Sequence, residues 1–477
     1  MTTIQIKEAI EKKMREGDVA PSAIAAFLGS VDKVFAGESG LISESSIDPV
    51  ENLPHFDSLP NDSVQGGEGF NQLAVIKLNG GLGTGMGLDR AKSLIRVKDD
   101  DTFLDFIARQ ILYLREAGRA PNLAFYLMNS FSTQQDTLDY LRKYPALATA
   151  GKLDFLQSKA PKLDAQTLEP VSWPADPDLE WCPPGHGDIY PSMLGSGLLD
   201  RLLARGVKFL FVSNADNLGA TVDSKLLGYF AGSGCSFLME VAERTGADRK
   251  GGHLARRSGD GQLLLRESAQ TPRADAGPFQ DIERHRYFNT NSLWIRLDHL
   301  QEEMIRRGGA LPLALITNTK TVDPRDARSP KVLQLECAMG AAIECFEKSG
   351  AVVVPRSRFA PVKTTSDLLA LRSDAYRVTE DFRLVLDSSR RGQPPLVELD
   401  ENYFKMLADF EARLTHGAPS MIGCESLKVA GNVSFAKGVV LRGKVALTNP
   451  AKEMRTAAAG TYENISLELD ALGQAAP

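Results

Sequence analysis

Cysteine is scarce and unpatterned in this chain. The 477 residues hold five, Cys182, Cys235, Cys337, Cys345 and Cys424, with no C-x-x-C among them. That argues against a disulfide scaffold and a zinc site, and leads us to expect reduced thiols in a cytoplasmic protein. Long apolar runs are missing: nothing approaches the ~20 residues of a membrane span. The opening Met-Thr-Thr-Ile-Gln-Ile-Lys-Glu lacks a cationic-then-apolar leader pattern, so no membrane partner is expected. Positive charge is not in excess. A net charge of −6 argues against bulk attraction to nucleic acid or an anionic membrane, and an anionic ligand would have to be met by locally placed bases. Two common phosphate-binding signatures are absent as well. A P-loop needs Gly directly before Lys-Ser, where Ala91 stands. A G-x-G-x-x-G fingerprint fails in every register, its third glycine falling on Met86 or Leu88, which sets aside an NAD-dependent oxidoreductase.

What is present is a glycine loop behind a strand. Ala74 to Leu78 is a short apolar run that predicts a buried strand. It runs into Gly80, Gly81, Gly83, Gly85 and Gly87, and the loop closes on Lys92. Such a chain can reach positive φ and bring bare backbone against a ligand. Successive N–H groups form a concave anion site, and a lysine adds a mobile cation. A mobile surface loop is the alternative; a cradle for a nucleotide's phosphates is the better reading.

Leu78-Asn79-Gly80-Gly81-Leu82-Gly83-Thr84, with Met86-Gly87 and Lys92-Ser93 after it, resembles the signature of UTP–glucose-1-phosphate uridylyltransferases (UDP-glucose pyrophosphorylases) of the eukaryotic-like type. Leu88-Asp89-Arg90-Ala91 departs from it where members usually carry Cys-Lys-Gly-Pro, replacing a loop lysine with aspartate and moving the basic charge to Arg90. Further segments match in family order: Pro183-Pro-Gly-His-Gly-Asp188, Ser213-Asn-Ala-Asp-Asn-Leu-Gly219, Phe288-Asn-Thr-Asn291, Gln334 to Phe346, and Val352 to Asp367.

Residues 3–36 predict two helices, and 37–70 a covering arm and linker rich in Ser, Asp, Gly and Pro. Asp99-Asp100-Asp101 precedes a capping box, Thr102-x-x-Asp105, with Gly118 as the expected helix stop; acids there suit the helix dipole better than a metal. Leu123 to Met128 is a strand before a polar turn and a helix, the unit of a parallel α/β sheet. Residues 151–192 are irregular and contain His186, which spacing alone leaves as a solvated loop histidine. Val207 to Ser213 predicts a buried strand that delivers Asp216 just past its end. An Asp there suits Mg²⁺ or an Asx turn about equally. Asn289 and Asn291 suit sugar hydroxyls or a strand edge. Gln334 to Phe346 reads as a helix packed through small residues. Leu427, Val433, Val439 and Val445 recur every six residues, as do Val429, Phe435, Leu441 and Leu447, the spacing of a parallel β-helix.

The resemblance implies a Rossmann-like, GT-A-like α/β catalytic domain with a mixed central sheet flanked by helices. To it are added an N-terminal helical segment and a C-terminal left-handed parallel β-helix. The expected boundaries are 1–70, 71–376 and 377–477. It implies that UTP and glucose 1-phosphate give UDP-glucose and pyrophosphate by in-line attack on the α-phosphorus. Lys92 and Lys363 would be the catalytic cations and Asp216 the Mg²⁺ ligand. Leu78, Asn79, Gly80 and Gly81, followed by Gly83 and Thr84, would take the nucleotide, Gln157 and Gly185 the uracil edge and Met128 the base face. His186 and Asn214 would lie near phosphate and sugar, with Asn289 and Asn291 beside the sugar. The C-terminal β-helix would leave an uncapped face able to meet a second subunit, as in some relatives. Rival readings are a pyrophosphorylase for another sugar, such as N-acetylglucosamine 1-phosphate, and a non-catalytic nucleotide-sugar binder.

Overall fold

The strand Leu73–Asn79 is apolar on both faces, and the molecule is layered around it. The computed structural model describes residues 1–60, 67–117, 120–148 and 151–469; the helix stop expected at Gly118 lies outside them. Leu73 and Val75 point into one hydrophobic cluster, Ala74 and Ile76 into another. The period-two alternation of a strand thus feeds two cores, as a sheet covered on both sides requires. Phe209 and Phe211 of the strand Phe209–Asn214 join the first cluster, and Leu210 and Val212 the second.

Leu73–Asn79 is central and parallel to both neighbours, Ala124–Asn129 and Phe209–Asn214, with Leu78 opposite Met128 on one side and Asn214 on the other. Asp154–Leu156 continues the parallel set beyond Ala124–Asn129. On the far side Tyr287–Arg296 runs antiparallel to Phe209–Asn214 and to Phe237–Glu243, which pairs in parallel with Ser349–Val353. This is the expected mixed central sheet. Parallel strands end together, so Asn79, Asn129 and Asn214 reach one rim, where open α/β sheets bind ligands.

The helix Phe103–Glu116 begins at the expected box, Thr102 capping Asp105 and Asp105 returning to Thr102, while Asp101 pairs with Arg109. The two N-terminal helices, Thr3–Glu16 and Pro21–Phe35, bury Ile6, Ile10, Met14, Ile24, Phe27 and Val31 against Leu315 and Leu335. The segment expected as a helix at 334–346 is instead the strand Lys331–Cys337, antiparallel to Leu315–Thr321, followed by a short 3-10 turn, Met339–Glu344. The ladder captures the backbone first. The Met-Gly-Ala-Ala remainder is too short to nucleate an α-helix.

Toward the C-terminus Leu396–Leu399, Ser420–Ala430, Val439–Thr448 and Gly460–Glu468 form a four-stranded parallel sheet, and Val433–Phe435 pairs in parallel with Arg455–Ala457. Leu427 stands opposite Val445, and Val445 opposite Ile465. All eight aliphatic and aromatic residues of the six-residue repeat are buried. No helix among the described residues is long and apolar enough to cross a membrane.

Candidate active site

The glycine loop leaves the rim as a short reverse excursion. Leu82 and Ala91 bridge across it, and the Lys92 N–H donates to Gly81 O at 3.2 Å, so the loop is closed at its base. Gly81, Thr84 and Gly85 are exposed along its outer surface, while a Cβ on Gly83 would strike Leu88. Asp89 and Arg90, the departure from the signature, lie on the exposed side and leave the base of the loop intact.

Lys92 Nζ lies 2.6 Å from Asp216 Oδ2, and both side chains are only partly exposed. Asp216 sits in the turn after Phe209–Asn214. Its carbonyl accepts from Val362 N–H at 3.2 Å, and Asn217 forms a bridge with Pro361. The segment that carries Lys363 is therefore sewn to the loop that carries Asp216. Gly219 permits the approach: a Cβ there would lie 2.4 Å from Ser357 O. Lys363 is exposed and lines a cavity of about 360 Å³ with Lys250, Arg356, Phe288 and Tyr376. Lys92 and Asp216 thus meet at one rim, and the backbone just before Lys363 is bonded to the same turn.

The residues expected around the base also meet. Gln157 Nε2 donates to Gly185 O at 3.1 Å, and its Oε1 lies 2.6 Å from where a Cβ on Gly80 would be. Gly185 has φ +81°, and a Cβ there would lie 2.5 Å from Cys337 O. Asn79 is buried, its amide donating to Asn129 Oδ1 and Thr137 Oγ1, so only its backbone faces the loop. Met128 is packed into the core and offers little surface. Asn214 is half-buried at the strand end, in register with Leu78. A cavity of about 880 Å³ opens beside Gln157, Phe131 and Trp181, but its walls include none of the three charged residues.

His186 follows Gly185 and is half-buried. Met339 N–H donates to its Nδ1 at 2.9 Å, so the neutral ring carries its proton on Nε2. Burial pushes its pKa down to about 4. Asp188 is buried behind it and accepts from Ser158 N–H at 2.6 Å and Ser192 Oγ at 2.5 Å; burial pushes its pKa up to about 7.

Asn289 and Asn291 lie in the strand Tyr287–Arg296. Asn289 Nδ2 donates to Asn291 Oδ1 at 2.9 Å, and Asn291 has φ +57° at a bulge in the pairing with Phe237–Glu243. Beside them is a carboxylate that the sequence reading missed. Glu267 is raised in pKa by burial, with Lys363 and Asn289 opposing the rise. Its place was hidden because it comes from the end of a separate hairpin strand, Leu263–Arg266, with no motif around it.

A metal would find one carboxylate here, not a cage. Among the described residues no group of three or more His, Cys, Asp or Glu side chains gathers to hold an ion. Asp216 gives Oδ2 to Lys92, and no hydrogen bond from a described residue reaches its Oδ1. One carboxylate at a phosphate-binding rim fits an ion that takes most of its ligands from phosphate and water.

Known proteins resemble this chain in sequence and fold. The sequence model of the UTP–glucose-1-phosphate uridylyltransferase family matches residues 25–442. A UTP–glucose-1-phosphate uridylyltransferase of Saccharomyces cerevisiae is 40% identical, covering 92% of this chain and 89% of its own length. That of Solanum tuberosum is 40% identical over 88% of this chain and 87% of its own. Among solved structures, a mutant UDP-glucose pyrophosphorylase of Leishmania major in complex with UDP-glucose superposes with a TM-score of 0.93 at 47% identity, covering 97% of this chain and 99% of that one. A Trypanosoma brucei structure named as a UDP-glucose phosphorylase gives 0.89 at 46% identity, covering 98% and 100%. The chain belongs to the UTP–glucose-1-phosphate uridylyltransferase family.

Proposed function

We infer that this chain joins UTP and glucose 1-phosphate to form UDP-glucose and pyrophosphate. The observation that carries the reading is the Lys92–Asp216 pair on the rim beside the glycine loop, with the segment that carries Lys363 bonded to the Asp216 turn, in a chain of this family. The Leishmania major relative, crystallised with UDP-glucose, supports the choice of nucleotide sugar.

The transfer needs two polyanions brought together and their charge neutralised, rather than a protein nucleophile. The backbone of Leu78 to Gly81 and the loop N–H groups through Gly83 and Thr84 hold the nucleotide. Gln157 and Gly185 meet the uracil edge, and Met128 backs the base. A phosphate oxygen of the sugar phosphate, held by Lys363, attacks the α-phosphorus. Lys92 leaves Asp216 for the triphosphate and offsets the charge that builds as pyrophosphate departs. His186 keeps Nε2–H available as a neutral donor toward phosphate or sugar, with Asn214 alongside. Glu267, Asn289 and Asn291 supply the mixed acceptors and donors that sugar hydroxyls require. Asp216 would hold Mg²⁺, which when bound supplies charge neutralisation to the phosphate oxygens.

The C-terminal sheets support the further reading of a left-handed parallel β-helix, since Leu427 faces Val445 about one 18-residue coil away. Gly460–Glu468 pairs on one side only among the described residues, leaving an edge through which a second copy could dock. We place the unit boundaries at 70/71 and 376/377. The five free thiols support a reducing, cytoplasmic setting. Release of pyrophosphate from UTP on addition of glucose 1-phosphate tests the reaction. No release with glucose 1-phosphate, or faster release with N-acetylglucosamine 1-phosphate, would overturn it.

A further inference from the structure

We propose that Lys77 is a positioning residue for the transfer: its buried amine fastens the loop that carries Asp216. This rests on the role given to Asp216 above.

Lys77 lies in the central strand, paired with Ser213, and is 3% exposed. Its Nζ donates to Ser213 Oγ at 2.7 Å and to Ala220 O at 2.6 Å. Those two groups flank the Asn214–Gly219 turn, so one amine ties the entry of the turn to its exit. The next carbonyl is also gripped. Thr221 O accepts from Arg358 Nη2 at 2.8 Å, and Arg358 is itself buried against Glu240 at 2.7 and 2.8 Å. Adjacent carbonyls are thus held by cations from two different parts of the chain, one from the glycine-loop strand and one from the segment leading to Lys363. Asn217 adds a third tie, its Oδ1 accepting from Ala360 N–H at 3.0 Å.

A plain core role does not account for this arrangement. The other interior residues of the strand are apolar, and Lys77 Nζ lies 5.9 Å from the centroid of the Phe211 ring. Burying an amine is unfavourable unless every donor finds a partner, and methionine would fill the space without that cost. The two acceptors of Lys77 both belong to the ends of the Asp216 turn. Burial pushes its pKa down to about 7; Arg358 acts in the same direction, while Glu240 and Asp216 oppose it. The neutral amine still has two N–H groups for its two acceptors, so the grip survives deprotonation.

The test is Lys77→Met, which removes the donors and keeps most of the volume, with wild type assayed in parallel. UDP-glucose affinity by calorimetry should stay within about twofold, while kcat falls about 10- to 100-fold, as for a misplaced catalytic group. The Mg²⁺ concentration for half-maximal turnover should rise several-fold. Unchanged kcat and Mg²⁺ response would overturn the proposal, as would a kcat loss matched by an equal loss of binding-competent protein. Should Lys77→Met not fold, Ser213→Ala decides, since it removes one acceptor and no backbone bond. A fall in kcat of about threefold or more with intact UDP-glucose binding supports the grip, and unchanged kcat overturns it. A wild type that releases no pyrophosphate would sink the reading of the reaction and the proposal with it, whereas a loss confined to the variants bears on Lys77 alone.

Discussion

Lys92 Nζ lies 2.6 Å from Asp216 Oδ2, so the cation assigned to the triphosphate rests on the carboxylate assigned to the metal. The side chains are 19% and 21% exposed, so the pair is largely shielded from water and each group is the other's charge partner. On the proposed roles, a triphosphate and a divalent ion would replace the charge that each partner gives up.

Lys92→Ala should lower kcat by about 10²- to 10³-fold, with a much smaller rise in the KM for UTP. Steady-state kinetics at saturating glucose 1-phosphate measures both. Equal losses in the two would mean that Lys92 binds ground state and transition state alike.

On the proposed assignment, Lys92 and a divalent ion would compete for Asp216 in the free protein. Lys92→Ala should therefore bind Mn²⁺ more tightly than wild type in the absence of nucleotide, and Asp216→Ala more weakly, as followed by electron paramagnetic resonance. If Asp216→Ala kept the original Mg²⁺ response in turnover, the assignment of the metal to Asp216 would fail.

His186 is expected to act as a neutral donor. Its pKa is pushed down to about 4, so the pH profile of kcat should show no limb from it between about pH 5.5 and 8. His186→Leu should lower kcat/KM by about 10- to 100-fold, the worth of one hydrogen bond to a charged group. His186→Gln, which keeps an N–H donor, should recover part of it.

Asp188 sets a stability slope of the opposite sense from an ordinary salt-bridged carboxylate. Its native pKa is raised from 3.8 to about 7, so the folded chain holds a proton that the unfolded chain gives up. The stability this confers is complete below about pH 3.8 and is lost as pH rises through about 7. Asp188→Asn can still accept from Ser158 and Ser192 through its amide oxygen. Its melting temperature relative to wild type should therefore climb between pH 5 and 8; a constant difference would show that Asp188 is ionised in the fold at both.

Gly185→Ala puts a methyl group 2.5 Å from Cys337 O at a φ of +81°. Relief requires the turn to move, at about 1–3 kcal/mol of stability. Because Gln157 bonds to Gly185 O, the KM for UTP should rise more than kcat falls.

Much of this site was legible residue by residue. The glycine loop follows its strand because Leu73–Asn79 alternates between two cores and the chain must then turn at the rim. The six-residue repeat from Leu427 to Leu447 announced stacked parallel strands, since each short face buries its aliphatic residue. Other features gave no local signal. Lys331–Cys337 became a strand because Leu315–Thr321 was there to pair with it, and no window of sequence contains that partner. Glu267 and the buried Lys77 carry meaning only through neighbours far along the chain.

By itself the sequence settled which residues must be apolar, where the backbone must bend, and which side chains could carry phosphate chemistry. Those follow from alternation, glycine and charge within a few neighbouring positions. That Lys92 and Asp216 share one rim, with the segment that carries Lys363 bonded to the same turn, was decided by tertiary structure alone. It depends on Leu78 lying opposite Asn214 and on Asn217 bridging Pro361. Strand periodicity determines which face is buried but not which strands become neighbours, and only the packing of both cores together selects that order.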